Sequence, residues 1–341
     1  IKTICICGGG GQCHAIAPCL TQKGLKVNIL TSRPGEWNRE HFKFNLPDGR
    51  SSEICLGDIS NQPKDVIPEA DVVILTVPGF SNQVELEKIK PFLKKGAYVG
   101  GVFCSNGFFV TALNVLGNEY TIWGFQRVPF IGKVKDYGKE GNLLAFKTEF
   151  VVAIENCSQE QKEFFRNWIE EYFGQPTKLK SHYLEVTLSN SNPLLHPARI
   201  YTWLKNWDGA MLNTNPLFYE EWTDDASQAY IDLDADLHKL IHALPIDDDC
   251  LPYVLDYYEQ TDAHSLTLKL RSIESFKNIR MPVVEVEKGG YMPDFSSRYF
   301  AEDFSYGLRF VYNLARNYNV ETPMVDMVYH WGENLLKQNI G

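Results

Sequence analysis

The chain's 341 residues are enough for two domains, and 44% apolar against 22% charged side chains describes an ordinary globular protein with sizeable cores. A formal charge of −10 argues against nonspecific nucleic-acid binding. No run approaches the ~18 apolar residues of a membrane span, and the amino-terminal segment reads as a strand rather than a basic-plus-apolar leader. The eight cysteines (Cys5, Cys7, Cys13, Cys19, Cys55, Cys104, Cys157 and Cys250) form no CxxC pair and no zinc spacing. They read as reduced cytoplasmic thiols packed as small hydrophobes, with no metal role.

The apolar segment Ile4-Cys5-Ile6-Cys7 runs into Gly8-Gly9-Gly10-Gly11-Gln12-Cys13 and then into an amphipathic stretch. Strand, clustered glycines and helix in that order suit a phosphate-cradling βαβ unit. Gly8 allows the tight turn and Gly10 lets the backbone approach a pyrophosphate. Gly11 and Gln12 open the helix, and Cys13 takes the small third position where helix and strand pack. The competing reading is a flexible turn, and Pro18 counts against a straight helix, so a kink is expected there. The second strand, Leu25–Leu30, ends in Thr31-Ser32-Arg33 instead of the acidic residue that accepts ribose hydroxyls. A hydroxyl at Ser32 and a guanidinium at Arg33 suit a 2′-phosphate, so NADP(H) is preferred over NAD(H); the alternative is an exposed loop arginine.

A hairpin is expected over 43–56, turning at Pro47-Asp48-Gly49. The continuous apolar run 70–77 reads as a central parallel strand covered on both faces, with Val77 and Pro78 at its ligand-bearing carboxyl end. Ser105 and Asn106 follow the strand 97–102 on the nicotinamide side. Further strands at 120–125 and 150–154 and a helix over 160–173 complete a doubly wound α/β domain over 1–180. From 181 to 341 helical periodicity prevails, and we expect an all-α second domain abutting the first across a cleft.

Three constellations in the second half bear on chemistry. In Asn192-Pro193-Leu194-Leu195-His196-Pro197 the prolines place His196 at the start of a helix, a position suited to acid/base work or to capping. In Arg298-Tyr299-Phe300-Ala301-Glu302-Asp303, the carboxylate suits orienting an imidazole and the guanidinium suits clamping a substrate carboxylate. The plainer readings are an N-cap and a solvated arginine. Asp234, His238 and His242 are one helical turn apart and read as an exposed face rather than a metal site.

With these residues in view, the chain resembles the octopine/nopaline (opine) dehydrogenase family. The glycine run, Phe125-Gln126-Arg127-Val128-Pro129-Phe130, the His196 segment and the Arg298–Asp303 segment carry the resemblance, in family order across nearly the whole chain. The resemblance implies a Rossmann domain followed by a helical opine-dehydrogenase domain. It also implies reductive condensation of an amino acid with a 2-oxo acid through an imine. His196 would then transfer protons, Asp303 would be its carboxylate partner, and Arg298, with Gln126 and Asn192, would bind substrate. The implied partners are those small molecules, with homo-oligomerisation open and neither nucleic acid nor membrane involved. Two alternatives stand beside this: a ketopantoate-reductase-like 2-oxo acid reductase, and a non-catalytic dinucleotide sensor.

Overall fold

The computed structural model describes residues 1–104, 107–286 and 289–340. It separates into two compact units, Ile1–Asn190 and Ser191–Gly341.

The first unit is built on an eight-stranded sheet. Its order is Thr177–Leu179, Phe150–Glu155, Thr121–Phe125, Tyr98–Gly101, Val72–Leu75, Thr3–Cys7, Lys26–Leu30 and Ile59–Ser60. All neighbours run parallel except Phe150–Glu155 against Thr121–Phe125. The chain starts in the middle, builds one edge through Lys26–Leu30 and then returns to build the other. That reversal creates a switch point beside Thr3–Cys7, where ligands bind in doubly wound sheets. Val72, Val73, Ile74 and Leu75 are all buried, as expected of a central strand covered on both faces. At roughly 1.5–3 kcal/mol for each fully buried aliphatic side chain, such strands anchor the core.

A second, four-stranded sheet orders Ser51–Ile54, Phe42–Asn45, Glu140–Phe146 and Phe130–Asp136. The expected hairpin is its outer half; the Phe130–Asp136 and Glu140–Phe146 pair is an addition to the expected elements. This sheet covers the helix Gly11–Gln22, which therefore buries residues on opposite sides. The helix stays unbroken through Pro18. Pro18 has no N–H for the carbonyl of His14, and that carbonyl lies against Gly141, where a Cβ would come within 2.5 Å.

The helix Tyr183–Thr187 packs on Phe150–Glu155, with Val186 in the first core, so the first unit extends past the expected 180 to Asn190. The second unit is helical as expected, with Asn192–Leu204, Asp224–Ala243, Ala263–Ser272, Arg309–Asn317 and Pro323–Ile340. It differs from all-α by one ribbon, Val283–Val286 against Gly290–Pro293. The expected helix over 249–260 shrinks to Val254–Tyr257. Asp234 and His238 are buried rather than exposed, because neighbouring helices pack against Asp224–Ala243 there. Asp234 Oδ2 accepts the backbone N–H of Val254 at 2.8 Å, and only His242 of the three faces solvent.

Candidate active site

In the first unit a cavity of about 600 Å³ lies at the switch point, lined by Gly8, Gly9, Gly10, Leu30, Thr31, Ser32, Arg33, Val77, Glu85, Lys88, Val134 and Tyr137. Gly8 has φ +125°, a value closed to other residues, and a Cβ there would meet Thr76 Oγ1 at 2.4 Å. Gly10 faces open space and is the N-cap of Gly11–Gln22 without any side-chain cap. No acidic residue occupies the first turn. Free N–H groups and an uncompensated positive dipole end therefore face the cavity, which fits the pyrophosphate of a dinucleotide.

The remaining residues of the run have structural work. A Cβ on Gly11 would lie 2.6 Å from the carbonyl oxygen of Gly132, so helix and second sheet touch through two glycines. Gln12 donates through Nε2 to the carbonyl of Phe130 at 2.9 Å, and Cys13 is wholly buried. Their side chains turn away from the cavity. Ser32 and Arg33 line it. The Arg33 guanidinium lies 3.6 Å from the Tyr137 ring centroid and 3.4 Å from Glu36 Oε2. Tyr137 in turn hydrogen-bonds Thr31 Oγ1 at 3.0 Å. Val77 lines the cavity and Pro78 is exposed beyond it; Ser105 and Asn106 lie outside the described residues.

His14, one turn into the helix, is a buried neutral imidazole. Its Nε2 accepts the N–H of Gly138 at 2.9 Å, which leaves Nδ1 to donate to the carbonyl of Gly10 at 3.0 Å. Burial, opposed by that carbonyl bond, holds its pKa below the ordinary value. The ring thus ties the glycine run to the turn that carries Tyr137.

In the second unit His196 sits in the second turn of Asn192–Leu204, with Pro193 in the first turn. Its Nδ1 is 2.7 Å from Asp303 Oδ2, and its Nε2 is 2.9 Å from the hydroxyl of Tyr219. The three residues are only 2%, 6% and 4% exposed, so the pair lies in a medium where charge is weakly screened. Asp303 is not an N-cap. It lies inside a π-helical stretch, Tyr299–Leu308, whose wide turn is the kind of local distortion found at functional sites. A Cβ on Gly307 would fall 2.8 Å from Pro193 Cγ, so a glycine lets that stretch approach the His196 helix closely.

Tyr219 escaped the sequence reading because its segment has no periodicity. Arg199, one turn after His196, holds it in place: Nε donates to the carbonyl of Phe218 at 3.1 Å and Nη2 to that of Glu221 at 2.9 Å. Burial lowers the Arg199 pKa to about 10, still charged at neutral pH. Burial also pushes the Tyr219 phenol well up, so it stays protonated. Arg298 is exposed, with its guanidinium 5.4 Å from the Tyr299 ring centroid. Asn192 is the first residue of its helix, and Gln126 follows the strand Thr121–Phe125, its N–H bonded to the carbonyl of Val151. The second unit thus brings His196 and Asp303 together, beside Tyr299 and Arg298.

Two family models match the chain. Residues 179–336 match the α-helical domain of NAD/NADP octopine/nopaline dehydrogenases, and residues 4–122 match the ketopantoate reductase PanE/ApbA family. The tauropine dehydrogenase of Arabella iricolor is 26% identical, over 97% of this chain and 90% of that protein. The octopine dehydrogenase of Mizuhopecten yessoensis is 26% identical, over 97% and 89%. An octopine dehydrogenase solved with NADH and L-arginine shares the fold, with a TM-score of 0.84 at 22% identity, covering 99% of this chain and 90% of that one. With a dinucleotide cradle in one unit and the match to the octopine/nopaline dehydrogenase helical domain over residues 179–336, the chain is similar to the opine dehydrogenases along nearly its whole length and is an NAD(P)-dependent oxidoreductase.

Proposed function

We propose that the protein condenses the amine of an amino acid with a 2-oxo acid and reduces the resulting imine to a secondary-amine dicarboxylate. The observation that carries this reading is the buried His196–Asp303 pair at 2.7 Å. Asp303 holds the imidazole in one tautomer and stabilises its protonated form, as a carboxylate does for a catalytic histidine elsewhere. His196 takes a proton from the attacking amine and returns one to the departing hydroxyl, so that water leaves and the C=N bond forms. Arg298 binds a substrate carboxylate through its forked donors. When bound, the reduced nicotinamide supplies the hydride that the imine carbon accepts. Gly8, Gly10 and the N–H groups opening Gly11–Gln22 hold the pyrophosphate in this reading.

The cofactor is proposed to be NADP(H) in preference to NAD(H). Arg33 is half exposed beside the cavity, and its exposed pair with Glu36 is worth only about 0–1 kcal/mol, which a doubly charged 2′-phosphate outcompetes. All eight cysteines are free, in keeping with a cytoplasmic setting.

The test is NADPH and NADH oxidation across amino acids crossed with pyruvate, 2-oxoglutarate and oxaloacetate, each repeated without the amine. Amine-dependent oxidation is expected. Equal oxidation without the amine would instead indicate a simple 2-oxo acid reductase, and no oxidation with any pair a sensor.

A further inference from the structure

We infer that Tyr219 is a catalytic residue that carries the proton between His196 and the substrate, an assignment that rests on the role proposed above for His196. Both imidazole nitrogens are engaged, Nδ1 by Asp303 at 2.7 Å and Nε2 by the Tyr219 hydroxyl at 2.9 Å. Two further aromatic rings stand edge-on to the imidazole, Tyr299 at 4.7 Å between centroids and Phe218 at 5.5 Å. A proton leaving Nε2 therefore passes to Tyr219 Oη. A phenol can accept that proton while donating its own, which no purely apolar filler could do.

The segment around Tyr219 is built to fix this hydroxyl. Arg199 bonds the carbonyls of Phe218 and Glu221, and Arg271 Nε bonds that of Trp222 at 2.8 Å. Arg199 is itself buried, and desolvating a guanidinium is costly unless the geometry it holds is needed. The Tyr219 ring is stacked on Phe276, 4.0 Å between centroids. The Arg298 guanidinium also acts on the Tyr219 phenol, opposing part of its upward shift, which places the hydroxyl within the field of the proposed carboxylate clamp.

The step concerns the carbinolamine formed when the amine adds to the 2-oxo carbon. Imidazolium His196 gives its Nε2 proton to Tyr219 Oη as Tyr219 gives its own proton to the carbinolamine oxygen. The C–O bond breaks, the oxygen leaves as water, and the nitrogen lone pair forms the C=N bond. His196 ends neutral, Tyr219 ends as it began, and no electrons leave the substrate; reduction follows separately.

Tyr219→Phe deletes the hydroxyl and keeps the ring. With amine and 2-oxo acid saturating, kcat should fall about 10²-fold or more, the scale of acid/base catalysis, while KM and dinucleotide binding change little. In mixtures of light and heavy water the wild-type kcat should curve with deuterium fraction, as two protons moving together require. A wild-type enzyme with a linear dependence overturns the relay, whatever the variant does. So does a Tyr219→Phe enzyme with wild-type kcat. His196→Ala run alongside separates the two ideas: an inactive His196→Ala with an active Tyr219→Phe removes only the tyrosine, whereas an active His196→Ala removes the role of His196 itself.

Discussion

Asp303→Asn isolates the charge of the buried pair. The amide oxygen can still accept Nδ1–H at the 2.7 Å position, so the ring keeps its place. What is lost is the negative charge that stabilises the imidazolium in a site where Asp303 is 6% and His196 2% exposed. Leaving a buried ion without its partner costs about 3–5 kcal/mol. At ~1.4 kcal/mol per tenfold in rate, that cost corresponds to a kcat roughly 10²- to 10⁴-fold lower. The assay is steady-state NAD(P)H oxidation with both substrates saturating, with dinucleotide affinity followed separately by fluorescence. Cofactor affinity should be unchanged, because the glycine cradle belongs to the other unit. A variant with kcat within about threefold of wild type would refute the electrostatic role given to Asp303.

Other consequences follow from single contacts. Arg33→Ala should weaken NADPH binding by about 1.5–3 kcal/mol, the worth of a charge-assisted hydrogen bond, and leave NADH binding nearly unchanged in titrations; equal losses for both would remove Arg33 from cofactor choice. Gly11→Ala places a methyl 2.6 Å from the Gly132 carbonyl oxygen, which backbone cannot vacate cheaply. The overpacking cost is about 1–3 kcal/mol, and the first unit's Tm should drop by several degrees in calorimetry. His14, its pKa lowered by burial, resists protonation in the folded unit while the unfolded chain binds protons as pH falls through 6.5. Stability of the first unit should therefore decline below pH 6.5 and level off under the folded pKa. Asp234, raised to about 6, acts in the opposite sense in the other unit, so the readout is the difference in Tm against pH between wild type and His14→Gln. Identical curves would exclude His14.

The first unit was legible where a run of side chains had one consistent environment. The apolar stretch ending at Leu75 announces a strand covered on both faces, and the glycines before Gln12 announce a turn that no bulkier residue could make. The strands Phe130–Asp136 and Glu140–Phe146 were not legible, because Lys133 and Lys135 populate one face of the first while Gly132 and Gly141 stand where apolar side chains would normally signal a core. Those glycines exist to let the sheet reach the helix Gly11–Gln22, a tertiary requirement without a local pattern. The burial of Asp234 and His238 was hidden for the reverse reason: polar side chains at helical spacing look solvated until the neighbouring helices are known. His196 stood out through its flanking prolines and Asp303 through its segment. The π-helical turn that presents Asp303 has no signature in composition, and Tyr219 lies in an aperiodic segment held by arginines from distant elements.

The central claim is that hydride ends on a carbon that has joined an amine to a 2-oxo acid. Reduced dinucleotide carrying deuterium at the transferring position, incubated with the enzyme, an amino acid and a 2-oxo acid, reports this by mass spectrometry of the product. A secondary-amine dicarboxylate with one deuterium on the former carbonyl carbon is expected. A deuterated 2-hydroxy acid, with the amino acid left unconsumed, would contradict the claim.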